Sequence, residues 1–471
     1  MSEENERILF VTGKLAETSL RNVLESIEDR PFSYEIVVVG VSVAALITTS
    51  MLAKRLPSLS EFDRVILPGR VRGDIAALAD ARQTPMERGP EEVKDLSAYL
   101  GGKEHTFNLD SHDVLVFAEI VDAPFLPIDD VLSRARYFLS EGANVIDIGC
   151  LPDTPFPHLA ETITALREQG IPVSVDSLSD TDLLCGIKAG ANYVFSLSSK
   201  SLSLAEEGDF TPILIGDTPN DLDSLCKTVE EFAKFDRPFF ADPILDPLHL
   251  GFTASVTRYH TFRQRYPKVE MLMGIGNLSE LTHADSMGIN TLLVGIASEL
   301  RIRALLTTQV SKHCVSAIRE IDRARRIMHA AREHGTPPQN IDDSLLAIHE
   351  RKPFPYQSAE IEELARAVKD PNYRIQVSDE GIHIYNRDGH HRATDPYDLF
   401  PELAVEGDHG HAFYLGLELA KAEIAWSLGK RYNQDEALRW GAALEAPEED
   451  KQNFAPERST LKARRNKKKK S

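Results

Sequence analysis

Between residues 112 and 335 short apolar runs alternate with helical patterns, and few folds accept that order. The runs fall at 114–121, 144–149, 172–176, 192–196, 212–215, 238–241, 269–275 and 290–294. Helical spacing covers 128–141, 158–169, 180–189, 222–235, 254–265 and 279–287. Continuous apolar strands belong to a sheet buried on both faces, and helices between strands make the neighbours parallel. Eight such units predict a (β/α)8 barrel. A doubly wound open sheet is the alternative, which eight evenly spaced units disfavour.

In such a barrel the C-terminal ends of the strands form the site. Those ends read Glu119-Ile120-Val121-Asp122, Asp147-Ile148-Gly149, Asp176-Ser177, Phe195-Ser196, Asp242-Pro243 and Gly274-Ile275-Gly276-Asn277. A buried carboxylate is costly unless it is paired or hydrogen bonded. Several at one rim imply a polar ligand with many donors, or a metal ion. The 2-amino-pyrimidinone edge of a pterin offers N–H donors that match a carboxylate, and Asn both donates and accepts. Mg2+ with a phosphate is the other option. The simpler reading is that Asp147 and Asp242 cap helices.

The flanks have other patterns. Residues 1–110 read as a small α/β domain with strands near 8–11, 34–39 and 65–67, and 84–110 as a linker with a helix near 90–100. Thr12-Gly13 and Gly69-Arg70 are candidates to cradle an anion at a helix start, or glycines that only make turns. Residues 336–455 form a C-terminal α+β extension, with a hairpin at 373–385, a turn leading into His390-His391, and helical spacing over 411–443. His390-His391 with Asp388 and Asp395 are a candidate metal set, although Asn386-Arg387-Asp388-Gly389 is first a turn. The end, 456–471, is a basic low-complexity tail expected to be disordered.

The net charge of −20 argues against nucleic acid as main partner, except through that tail. Four cysteines without a CxxC pair suggest neither a zinc ribbon nor a disulfide framework, and a reducing cytoplasm is expected. The longest apolar stretch, 37–53, is broken by Gly40, Ser42 and Thr48 and reads as strand, turn and helix rather than a membrane span.

The rim motifs carry a family resemblance. Glu141 to Gly149 resembles the EGA…IDIG motif of dihydropteroate synthases, and Val173–Ser177 their third-strand SIDT. Ala189-Gly190-Ala191 resembles the AGA before their fourth strand, Asp242-Pro243-Ile244 their DPG, and Gly274–Ser279 stands in place of their GxSRKS. The resemblance implies a pterin-binding barrel with Asp147, Asp176, Asp242 and Asn277 facing a reduced pterin, and Asp176 and Asp242 acting in catalysis. It implies a transferase joining a dihydropterin methyl diphosphate to an aryl amine, with Mg2+ held by Asp122 and charge supplied by His249, Arg258 and His260. A homodimer is also implied. The expected Asn of strand one is Val121, that of strand four is Phe195, and the lysine and arginine of SRKS are Leu278 and Asn277. No Arg-x-His follows the eighth run. The ring-binding residues persist while the diphosphate residues have mostly gone. Gly-Ile-Gly-Asn-Leu-Ser also resembles the pterin methyltransferases, whose reaction needs a corrinoid partner, and a non-catalytic pterin-binding protein is the third reading. The three-part organisation looks like the dihydropteroate synthase-related proteins of tetrahydromethanopterin-linked one-carbon metabolism.

Overall fold

The computed structural model describes residues 6–27, 30–91, 93–100, 107–339 and 341–444. The basic tail lies outside them. The chain divides into two compact units: residues 1–106, 348–439 and 446–471, and residues 107–347 with 440–445.

The first unit begins with a parallel sheet of β1 (Glu6–Thr12), β2 (Phe32–Val38), β3 (Arg64–Leu67) and β4 (Met86–Arg88), in the order β2-β1-β3-β4. Alternation along β1 sends Ile8 and Phe10 to one face and Leu9 and Val11 to the other. Both faces are covered, the first by Leu20, Leu24 and Leu96, the second by Leu52 and Leu78. β4 lies in the stretch expected to be a linker. Met86-Glu87-Arg88 has one apolar residue and no strand signature of its own; Arg64 of β3 holds Glu87 at 2.8 Å.

The same unit contains an antiparallel sheet of β13 (Arg374–Ser378), β14 (Gly381–Tyr385) and β15 (His390–Ala393), the labels β5–β12 belonging to the second unit: β5 (Leu115–Ile120), β6 (Val145–Gly149), β7 (Val173–Asp176), β8 (Tyr193–Leu197), β9 (Thr211–Leu214), β10 (Phe240–Ala241), β11 (Leu272–Gly274) and β12 (Ala304–Thr308). The expected hairpin thus gains a third strand at His390. Leu415, Leu419 and Ala422 of the helix His409–Leu428 pack on Ile375, Val377, Ile382 and Ile384. That helix ends at Gly429, whose φ of 60° suits a glycine C-cap, so the helical spacing read to residue 443 overshoots.

In the second unit β5–β12 are all parallel, in the order β10-β9-β8-β7-β6-β5-β12-β11. A parallel bridge between Ala241 and Met271 joins the two ends, so the sheet closes into the expected eight-stranded barrel. Phe117, Val145, Phe195, Ile213, Leu272 and Ala304 fill its interior. Their neighbours Val116, Ile146, Val173 and Val194 pack outward beneath the helices.

Two repeats of Gly-Ala-Asn build the lower end. Gly142 (φ 111°) and Gly190 (φ 91°) end helices, and Asn144 and Asn192 then accept the amides of Val116 and Val173, each at 3.0 Å. These parts of the motifs tie strand to strand at the N-terminal end of the barrel. Arg325, buried on the helix Ala317–His334, adds bonds to Val114 O and Asn144 Oδ1, both 2.5 Å, and to Gly142 O at 2.9 Å.

The eighth strand is not where the sequence suggests. Residues 290–294 lie in the helix Ser286–Glu299, and the strand is β12. Asn290 is buried there and donates to Glu320 at 2.7 Å, while Leu292 points to solvent. The helical pattern at 279–287 is likewise divided between Gly276–Glu280 and the helix that starts at Ser286. No helix among the described residues is long and apolar enough to cross a membrane.

Candidate functional site at the barrel mouth

The parity that puts Phe117 and Val145 inside the barrel continues to Glu119, Asp147 and Gly149. On the neighbouring strands it reaches Asp176, Asp242 and Thr308. The register sets Glu119 beside Asp147, Asp147 beside Ser174, and Gly149 beside Asp176. The upper layer of the barrel is therefore acidic where the lower layer is apolar.

Each aspartate is held from one side. Ser174 Oγ donates to Asp147 Oδ1 at 2.5 Å, and Ser196 Oγ donates to Asp176 Oδ1 at 2.7 Å. Asp242 Oδ1 accepts the buried Tyr259 hydroxyl at 2.5 Å and the amide of Ile244 at 2.8 Å. Asp147 Oδ2 is buried with no hydrogen-bond partner. Two of these contacts rest on unusual backbone. Ser196 has φ 62° and Ile244 φ 65°, and a β-branched residue there is an outlier of the kind that clusters at functional sites. Ser196 sits at an irregularity in the β8–β9 pairing, which turns its hydroxyl to Asp176.

Burial raises the pKa of every carboxyl in this set. Asp147 is fully enclosed and pushed well above the usual carboxylate range, first by burial and then by Asp176 and Glu119. Asp176 is raised by burial, against the opposing bond from Ser196. Glu119 is pushed up to about 7 by burial and the nearby Asp176. Asp242 rises to about 6, its bonds from Tyr259 and Ile244 opposing its burial. Like charges this close retain protons between them, so the floor of the mouth holds neutral and ionised carboxyls together.

Asp147, Asp176 and Asp242 thus stand in one acidic layer, and none of them caps a helix. Ser179 and Asp221 serve as helix caps instead. Asn277 lies exposed in the first turn of Gly276–Glu280. Asp122 is engaged by Arg134. Arg258 is buried and bound to Pro243 O, Ile244 O and Asp246, so it clamps the loop after β10 instead of presenting charge to a ligand. His249 and His260 are exposed. Leu278 is a core residue and β12 ends in Thr307-Thr308. Cys150 is a thiol pushed up to about 12, by burial and then by Asp182 and other nearby acids, which removes it as a nucleophile at neutral pH.

His390 Nε2 meets His383 Nδ1 at 2.9 Å, Asp388 pairs with Arg387, and Asp395 caps a short helix. Among the described residues no group of three or more His, Cys, Asp or Glu side chains is placed to hold a metal ion. Asp122, the residue expected to hold Mg2+, is engaged by Arg134.

Glu119 and Ser196 were read only as strand ends and given no role, and Ser174 and Tyr259 were not singled out from sequence. Glu119 had a signal, since it ends a strand. The hydroxyls of Ser174 and Tyr259 had none, because the Asp they support is distant in sequence or lies across a strand pair. The loops leaving the strands also carry exposed apolar side chains, among them Phe125, Leu178, Leu250, Leu281 and Val310. A polar floor under apolar loops suits a flat heterocycle with one polar edge.

These features define an acid-lined parallel α/β barrel. A family of unknown function, DUF6513, matches residues 6–91. An uncharacterized protein of Methanocaldococcus jannaschii, MJ0107, is 25% identical and covers 91% of this chain and 98% of its own length. Among solved structures the chain is similar to the dihydropteroate synthase of Yersinia pestis in a sulfonamide drug complex, at 15% identity and a TM-score of 0.38, covering 47% of this chain and 95% of that one. It is similar at 17% identity and the same TM-score to 7,8-dihydropteroate synthase from Vibrio fischeri, over 50% and 98% of the two chains. The synthase of Burkholderia cenocepacia complexed with 7,8-dihydropteroate aligns over 47% and 92%, at 16% identity and a TM-score of 0.36.

Proposed function

We propose that the barrel binds the ring of a reduced pterin at its acid-lined mouth, as a dihydropteroate synthase-like protein. One observation carries the reading: three aspartates are held from one side by Ser174, Ser196 and Tyr259, and Asp147 Oδ2 is buried with no partner. The second oxygens of Asp176 and Asp242, on side chains that are partly exposed at the mouth, are left to accept ligand N–H groups. The 2-amino-pyrimidinone edge supplies such donors side by side. Asn277 would meet the ring from the loop after β11.

The finer reading is a transferase. An aryl amine nitrogen would attack the methylene carbon of a dihydropterin methyl diphosphate, the C–O bond would break, and diphosphate would leave as the amine loses its proton. Glu119, with its value near 7, is suited to take that proton. A role with a methanopterin-type coenzyme follows from the sequence resemblance alone.

A second reading has its own support. Arg258 is spent on its own loop, Leu278 is buried, and Asp122 is paired with Arg134. These favour ring binding without diphosphate chemistry, as in methyl transfer with a corrinoid partner or in a non-catalytic carrier. Titration with 6-hydroxymethyl-7,8-dihydropterin and its diphosphate, with and without Mg2+, separates the two. Diphosphate- and Mg2+-dependent tightening supports the transferase; equal affinity for both ligands supports the second reading; binding of neither removes the proposal.

A further inference from the structure

The parallel sheet of the first unit has a feature its role as a scaffold does not explain. Its order, β2-β1-β3-β4, reverses at β1, so the crevice between β1 and β3 is a topological switch point. In open α/β sheets ligands bind outside the carboxyl ends of the strands at that point. A cleft open to solvent on one side lies there, with about 80 Å3 of enclosed space, reached by the ends of β1, β3 and β4 and by Ala16, Ala45 and Arg70.

The walls decide the chemistry. A phosphate needs free backbone N–H groups after β1. Those of Lys14, Leu15 and Ala16 are already given to Val41 O, Ser42 O and Gly13 O. The glycines are accounted for by packing: a Cβ on Gly13 would stand 2.6 Å from Ala44 N, and one on Gly69 2.6 Å from Glu91 N. Of the two readings of Thr12-Gly13, anion cradle or turn glycine, the packing supports the second. The rest of the lining is mostly apolar. Arg70 is the cation on the cleft, and it reaches Glu436 through one contact of 3.3 Å, with both side chains partly exposed. A guanidinium held by a carboxylate in this way accepts another carboxylate in its place.

We propose that this cleft is a second ligand site, one that takes a flat apolar monocarboxylate, with the ring against the ends of β1 and β3 and the carboxylate on Arg70. The site is separate from the barrel mouth and does not depend on pterin binding there. Its occupant displaces Glu436 from Arg70.

The full-length protein is titrated with 1-naphthoate and with the neutral 1-naphthalenemethanol, by calorimetry. Naphthoate is expected to bind wild type, and about tenfold more weakly to Arg70→Gln, the loss of one charged hydrogen-bonding partner. Ala45→Phe, which fills the cleft from a partly exposed position, is expected to abolish binding with an unchanged melting curve. Asp176→Asn is expected to bind naphthoate as wild type does, which separates this site from the barrel. Absence of naphthoate binding, equal binding of the neutral compound, or full binding to Ala45→Phe would each overturn the proposal.

Discussion

The carboxylate of Glu119 lies where a side chain on Gly149 would begin: a Cβ built on Gly149 would stand 2.5 Å from Glu119 Oε1. Glycine at the end of β6 therefore leaves room for an acid from β5 to lie over the mouth beside Asp176. The last residue of the IDIG run is thus a steric requirement, with Glu119 as its reason. Gly149→Ala is expected to fold, because the far end of a glutamate moves easily, and to weaken pterin binding about three- to tenfold by displacing that carboxylate, within the span of a lost or distorted hydrogen bond. Calorimetric titration beside a thermal melt checks both halves.

Glu119 also sets a pH dependence. Its value in the folded protein is raised, from an ordinary 4.5 to about 7. The folded state then holds a proton the unfolded chain has lost, so the associated stability is full below about pH 4.5 and is lost as pH rises to about 7. Asp242, raised to about 6, adds to the same trend. Glu119→Gln is expected to be more stable than wild type at pH 8, by on the order of 1–3 kcal/mol, while binding pterin more weakly. Urea melts of both proteins at pH 5 and pH 8 measure this; an equal difference at both pH values would remove the assignment.

The C-terminal sheet should respond in the opposite sense. His383 on β14 is buried between Ser378 and His390, at 2.8 and 2.9 Å, and burial lowers its value to about 4. The folded state resists a proton that the unfolded chain takes up near 6.5. The stability it contributes is present above about pH 6.5 and is lost as pH falls through about 4. Hydrogen exchange along β13 and β14 is expected to quicken relative to the barrel strands between pH 6.5 and 4.5, after correction for intrinsic rates, and His383→Asn to abolish that difference.

Tyr259 has one polar task in this account, to hold Asp242 from behind. Tyr259→Phe leaves Asp242 only the amide of Ile244 and is expected to weaken pterin binding about tenfold. Tyr259 is fully buried, so a cost to folding of about 1–2 kcal/mol is also expected. The control is Tyr266→Phe, whose hydroxyl bonds Glu230 on the outer helices; an equal loss of binding there would show that the effect is one of stability alone.

Much of the barrel was legible because its strands are short apolar runs bounded by glycine, asparagine and helix caps. The eighth was not. Residues 290–294 and 304–308 are both short apolar runs, and periodicity over five residues does not separate helix from strand. Asn290 decides between them through Glu320, which lies 30 residues on. β4 escaped notice because an edge strand of Met-Glu-Arg takes its place from pairing with β3, not from its own residues. In the site, Asp147, Asp176 and Asp242 could be read from strand ends. The reading of Arg258 as a free charge failed because nothing in its own sequence reveals that three loop oxygens enclose it.

The central claim is that aspartate oxygens at the mouth receive the N–H donors of a pterin edge. Its most direct test is equilibrium binding of 7,8-dihydropterin to wild type and Asp176→Asn, beside a dihydrolumazine that carries a 2-oxo group in place of the 2-amino group. The account predicts that wild type binds the pterin and discriminates against the lumazine by at least about tenfold, a missing donor to a buried carboxylate, and that Asp176→Asn loses most of this preference. Equal affinity for the two ring systems, or a preference unchanged in Asp176→Asn, would contradict it.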